Sequence, residues 1–132
     1  MKRTSSPAPG RWLLSGRRGT PRLARGLVRT WMRDLHLDDD QVDDVALVCT
    51  ELVTNVVLHT AGPVSLTVRV DGTGVLVEVS DDEPTLSPER HRSHDLAAES
   101  GRGLTIVEAI SSSWGVRCAG RSKTVWAHVD FP

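Results

Sequence analysis

Between residues 23 and 35 the apolar side chains recur at helical spacing. Leu23, Leu27, Trp31 and Leu35, with Ala24, Val28 and Met32 beside them, form one stripe, and Arg22, Arg25, Arg29 and Arg33 line the other side. That division predicts a surface helix. Thr20-Pro21 gives its start, with the hydroxyl as N-cap and proline at the first helical position, where its missing N–H costs nothing. A second helix is expected from about Asp39 to His59, with a broad apolar surface from Val42, Val45, Ala46, Cys49, Leu52, Val53 and Val56. Asp38 and Gln41, three residues apart, match a capping box, and the acids Asp38, Asp39 and Asp40 suit the positive end of a helix dipole. After Ala61-Gly62-Pro63 the period drops to two: Val64, Leu66, Val68 and Val70 point one way, Ser65, Thr67 and Arg69 the other. This is a strand pattern.

Asp71-Gly72-Thr73-Gly74 reads as a hairpin turn, and the return strand runs from Val75 to Ser80 and ends at Asp81. Residues 82–100 are polar, charged and proline-containing, with no periodicity; a loop of that length in a compact domain is usually functional. Gly101-Arg102-Gly103 opens a third helix with Leu104, Val107 and Ile110 on one face. Trp114 to Cys118 and Thr124 to Phe131 then form a closing hairpin around Ala119-Gly120. Arg11 to Ser15 adds a short edge strand. Helices segregated on a mixed, mostly antiparallel sheet make an α+β two-layer sandwich, with the helices on one face.

The chain has 132 residues, 39% of them hydrophobic, which suits one domain over residues 11–132 behind a basic tail, 1–10, expected to be disordered. Charge is strongly polarised. Residues 1–33 hold nine basic side chains and no acid, leaving seven basic against seventeen acidic residues in the remainder. A solvated tail and outer helix face explain the basic start, and a docking surface for an acidic partner is the alternative. The acids elsewhere and the lack of aromatic interleaving argue against direct nucleic-acid binding. No window reaches the roughly 18 apolar residues of a membrane span, so the expected location is cytoplasmic. Cys49 and Cys118 lie in apolar sequence without metal-like spacing and are expected to be reduced, buried thiols. His91 and His94 show H-x-x-H spacing, but no further ligands stand near them, so solvated loop residues are the reading.

Three segments carry candidate chemistry. Glu51, Asn55 and His59, four residues apart, stack on one face of the second helix, where a carboxylate and an amide oxygen can hold hydrated magnesium; an ordinary polar stripe is the equal alternative. Asp81, at the end of an apolar strand, can accept a hydrogen bond from a base amino group, or merely form a turn. Glu99-Ser100-Gly101-Arg102-Gly103-Leu104 brings two glycines to a helix N-terminus, which offers N–H groups to phosphate. A single such helix start is weakly specific.

Taken together, Glu-Leu-Val-Thr-Asn at 51–55 with His59, Val-Glu-Val-Ser-Asp at 77–81 and Gly-Arg-Gly-Leu at 101–104 resemble the three boxes of the GHKL ATPase superfamily. Gyrase, histidine kinases and anti-sigma factor serine kinases share those boxes. The last branch is the most similar, and Trp114-Gly115 with Lys123-Thr124-Val125-Trp126 resembles the closing hairpin of its actinobacterial members. The resemblance spans about residues 12–131 and implies the Bergerat fold with ATP and magnesium as ligands. It makes Asn55 the magnesium ligand, Asp81 the adenine reader, Gly101 and Gly103 the lid hinge and phosphate loop beside Leu104, and Thr124 a secondary adenine-pocket contact; Arg102 can contact a phosphate, with an exposed arginine at a helix start as the equal alternative. Glu51 becomes the general base for an attacking hydroxyl.

The activity implied is that of a serine/threonine protein kinase that sequesters a sigma factor and phosphorylates an anti-anti-sigma protein, with a homodimer as the family's expected assembly. One departure separates the chain from the pattern. The second box often reads D-x-G-x-G, whereas Glu83 and Thr85 stand here where those glycines would be. The alternative is therefore a catalytically silent, nucleotide-sensing anti-sigma module.

Overall fold

A computed structural model describes residues 7–58, 62–81, 102–120 and 122–132; for Arg102 and Gly103 it describes the backbone alone. The elements follow in the order β1 (Gly10–Leu14), α1 (Thr20–Asp34), α2 (Asp39–Leu58), β2 (Val64–Val70), β3 (Gly74–Asp81), α3 (Arg102–Ile110), β4 (Ser113–Ala119) and β5 (Ser122–Asp130). The five strands make one sheet in the order β1-β2-β3-β5-β4, and every pairing is antiparallel. Helices and sheet form the expected α+β sandwich.

Alternation fixes which sheet face receives the helices. Val64, Leu66 and Val68 of β2, Val75, Val77 and Val79 of β3, and Val125, Ala127 and Val129 of β5 are all buried. Ser65, Thr67, Glu78, Ser80 and Thr124 between them are only half-buried, on the face away from the helices. Against the buried face lies α2, whose Val45, Ala46, Val48, Cys49, Leu52 and Val53 are fully buried. This helix packs on α1, α3, β2, β3 and β5, which makes it the central pillar of the domain. Met32, Leu52 and Leu66 are among the largest fully buried side chains, and truncating Leu66 to alanine costs about 2–5 kcal/mol. At the sheet edge Trp12 of β1 meets Trp31 of α1 edge to face, with ring centroids 6.4 Å apart.

Both helix starts show how local chemistry sets boundaries. Thr20 does not act as an N-cap: Gly19 takes that position with φ of 94°, and Thr20 is already in the helix, donating its hydroxyl to the Ser15 carbonyl at 2.6 Å. The left-handed turn there favours glycine, and proline still falls in the first turn. At α2 the Asp38 carboxylate accepts the Gln41 N–H at 2.9 Å, as a capping aspartate should. Gln41 is itself buried, and its Nε2 has no hydrogen-bond partner among the described residues. Arg29 of α1 reaches Asp43 of α2 at 2.7 Å and ties the two helices on their exposed side.

The β2–β3 turn is held by one carboxylate. Asp71 Oδ1 accepts the N–H groups of Thr73 and Gly74 at 2.8 and 2.9 Å, and these bonds, the Thr73 N–H first, lower the Asp71 pKa to about 2. The cysteines divide: Cys49 is buried, and desolvation pushes its thiol up to about 12, whereas Cys118 is exposed on β4. The expectation of burial for Cys118 fails because β4 is an edge strand whose outer residues no helix covers among the described residues. Among the described residues no helix is long and apolar enough to cross a membrane.

Candidate functional site

The second half of α2 carries the first group of candidate residues. Thr50 and Thr54 donate their hydroxyls back to the carbonyls of Ala46 and Thr50, at 2.9 and 2.7 Å, so neither hydroxyl proton is available to a ligand. Glu51 is half-buried. Asn55 differs from an ordinary polar stripe: it is 1% exposed, and its Nδ2 has no hydrogen-bond partner. A buried amide left unpaired costs about 1–3 kcal/mol, which makes it a poor structural residue and a good ligand-binding one. Which end of the amide carries nitrogen is an assignment, so the same end can present oxygen to a cation. His59 lies outside the described residues.

Asp81 closes β3, and its register partner is Val64 of β2. It is 2% exposed and lies on the face of Val75, Val77 and Val79, the side that α2 covers. A turn-forming aspartate would point to solvent; a carboxylate at the end of a strand and under a helix is placed to receive a donor. The Ser122 hydroxyl donates to the Asp81 main-chain carbonyl at 3.3 Å and draws the start of β5 against the end of β3.

Strand parity sets where Thr124 lies. Thr124 pairs with Ser80, and the two hydroxyls lie 2.7 Å apart on the sheet face away from the helices. Asp81 therefore shares a face with residue 123 and not with residue 124. Position 123 holds a lysine that is 4% exposed, which sequence reasoning did not single out. The signal was present, since Val125, Ala127 and Val129 are the apolar set of β5 and counting back by two reaches Lys123.

The third segment opens α3 at Arg102, and Leu104 and Val107 turn into the core at 3% and 0% exposure. Leu104 thus anchors the helix start against the domain interior. Gly101, His91, His94, Glu83 and Thr85 lie outside the described residues. α2 packs on both β3 and α3, so the helix that carries Asn55 is a neighbour of the strand that ends in Asp81 and of the helix that opens at Arg102.

This constellation suits a nucleotide with its cation. Asn55 offers a buried amide with an unmet bond, which fits a hydrated magnesium ion or a phosphate oxygen. Asp81 carries a buried carboxylate, a group able to accept from an exocyclic amino group. The backbone N–H groups at the start of α3 have the polarity for phosphate. A separate cavity of about 510 Å³ lies at the other end of α2, lined by Asp38 to Gln41, Asp44 and the end of β5. From Asp44 to Asn55 the helix rises about 16 Å, so this cavity is not the site just described.

Comparison with known proteins agrees with the fold. A family model described as the histidine kinase-like ATPase domain matches residues 16–128. Among solved structures, a chain in the crystal structure of the SiaB–SiaC complex from Pseudomonas aeruginosa superposes with a TM-score of 0.62. It is 11% identical, and the alignment covers 90% of this chain and 88% of that one. No curated protein matches.

Proposed function

This chain belongs to the histidine kinase-like ATPase domain family, and from that premise we propose that it is an ATP- and magnesium-binding anti-sigma regulator with serine/threonine protein kinase activity. The observation that carries the reading is the buried, unpaired amide of Asn55 on a helix that packs against the strand ending in buried Asp81. An unmet buried bond in a stable domain has a physical reason when a ligand completes it.

In this reading Asn55 holds magnesium, Asp81 accepts the adenine amino group, and Gly101, Arg102 and Gly103 present the phosphate-binding helix start that Leu104 anchors. Bound magnesium neutralises triphosphate charge. Glu51, one turn before Asn55 on α2, takes the proton from a serine or threonine hydroxyl of the acceptor protein as that oxygen attacks. The acceptor is an anti-anti-sigma protein, the sequestered partner a sigma factor, and the working assembly a cytoplasmic homodimer. The occurrence of a similar fold in a complex of SiaB with SiaC is in keeping with regulation through a protein partner.

A second reading has its own support. Glu83 and Thr85 replace the glycines that would follow Asp81 in the family pattern, which favours a chain that senses nucleotide and binds its partner without turnover. Incubation with labelled ATP and candidate acceptor proteins separates the two. The kinase reading expects magnesium-dependent transfer to a serine or threonine that Glu51→Gln slows by about 10²-fold or more. Undiminished transfer by Glu51→Gln contradicts the assigned base, and ATP binding without any transfer favours the silent module.

A further inference from the structure

The outer face of α1 is a ridge of arginines beside a notch. Arg22, Arg25, Arg29 and Arg33 fall within about 80° of arc on an ideal helix and run about 16 Å along it. Arg22, Arg25 and Arg33 are exposed and make no ion pair among the described residues; Arg29 alone is engaged, by Asp43. Arg17 and Arg18, exposed in the turn before the helix, extend the positive surface. Gly26 stands directly opposite the buried line of Ala24 and Val28 and is exposed. Apart from its own stretch of helix backbone, no atom lies within 4 Å of where its Cβ would be. Across Gly26 from the arginines lie exposed Thr30 and Leu23, the latter 55% exposed.

Three features of this face lower the stability of the helix itself. Glycine inside a helix is less favourable than alanine, and nothing packed near Gly26 requires the missing side chain. Arg25, Arg29 and Arg33 are spaced four apart, where like charges repel. The first turn holds no acid, and Arg22 stands there at the positive end of the helix dipole. A face that only meets water gains from none of these, whereas a face that meets a partner gains from all three. The notch admits close approach, the guanidinium forks take carboxylates in pairs, and the dipole attracts the same negative charge.

We propose that this face of α1 docks an acidic amphipathic helix of a partner protein. Its carboxylates meet Arg22, Arg25 and Arg33, its backbone passes over Gly26, and an apolar side chain beside the acids covers Leu23. Nucleic acid offers charge without that apolar side chain and would also face the seventeen acids in the rest of the chain. An anionic membrane surface would need an apolar helix face to bury, and the apolar side of α1, with Ala24, Val28 and Met32, is already buried in the core. Docking here needs no nucleotide and stands apart from the Asn55 site.

The test uses a fluorescein-labelled helical peptide of glutamate, alanine and leucine, with its glutamates on one side and its leucines beside them, in fluorescence polarisation without nucleotide. Wild type is compared with Arg22→Gln/Arg25→Gln/Arg33→Gln, which spares the pair of Arg29 with Asp43, and with Gly26→Gln. Saturable binding is expected that weakens with salt and falls at least about tenfold in the triple variant. Gly26→Gln should weaken binding about fivefold while melting no lower than wild type, because glutamine is the better helix former. A glycine that served only the fold would give the reverse, a lower Tm with unchanged binding. Absence of saturable binding, or equal binding by wild type and the triple variant, overturns the proposal. Unchanged binding by Gly26→Gln overturns the passage of a backbone over the notch. A scrambled peptide of the same composition, a DNA duplex or anionic vesicles competing as well as the unlabelled peptide overturns the choice of an acidic helix.

Discussion

Replacing Asn55 with leucine separates folding from ligand binding at one position. The two side chains are similar in volume, and the site is 1% exposed with Nδ2 unpaired. Leucine removes a buried donor whose desolvation is uncompensated, a relief of about 1–3 kcal/mol, and adds apolar contact in a shell that already holds Leu52 and Val56. For a chain of 132 residues each kcal/mol corresponds to about 3–5 °C in Tm. Ligand-free Asn55→Leu should therefore melt about 3 °C or more above wild type. The same change removes the amide that is to meet magnesium and phosphate. Wild type at a hundredfold excess of ATP over its Kd gains about 2.7 kcal/mol, and the variant should gain almost none. Differential scanning fluorimetry with and without magnesium and ATP reads both effects in one plate. An Asn55→Leu protein that melts below wild type yet keeps the full nucleotide shift would refute the reasoning, because the amide would then be a structural group with no ligand role.

Three further outcomes follow from the geometry. The Asp71 pKa is lowered to about 2, so its contribution to stability is present above the ordinary value near 3.8 and is lost as pH falls through about 2. Asp71→Ala should lower the Tm at pH 7 and have little effect near pH 2, measured by thermal melts; an equal loss at both pH values would contradict the carboxylate's role in the turn. Cys49 is buried with its thiol raised to about 12, and Cys118 is exposed, so Ellman's reagent should titrate one thiol in the native protein and both in guanidinium. The raised Cys49 pKa also costs stability as pH climbs above 9, where the unfolded thiol ionises and the folded one does not. Thr124→Val breaks the contact with Ser80 on the far face of the sheet, so nucleotide affinity should stay within about twofold of wild type in a direct titration.

Long, strongly periodic segments were legible from the sequence. The stripe from Leu23 to Leu35, the apolar surface of α2 and the alternation of β2 set those elements within a residue or two, because each encodes one buried face. Local caps were less legible, since Thr20 and Gly19 both suit a helix start and only the path of the chain from Ser15 decides between them. Burial on a strand depends on parity and on position in the sheet. Parity buries Lys123 on the apolar face of β5, and the edge position of β4 exposes Cys118. The boxes at 51–55 and 77–81 were readable as motifs. That Asn55 is buried and unpaired was not, because it depends on what α1, α3 and the sheet place around it.

The reading of this chain as a nucleotide-binding regulator rests on Asn55 and Asp81 meeting ATP with magnesium. Isothermal titration of ATP into wild type and Asn55→Ala, each with and without magnesium, addresses that point directly. One saturable site that requires magnesium, weakened at least about tenfold in Asn55→Ala, is the expected result. No binding to wild type, or equal binding to both proteins regardless of magnesium, would contradict it.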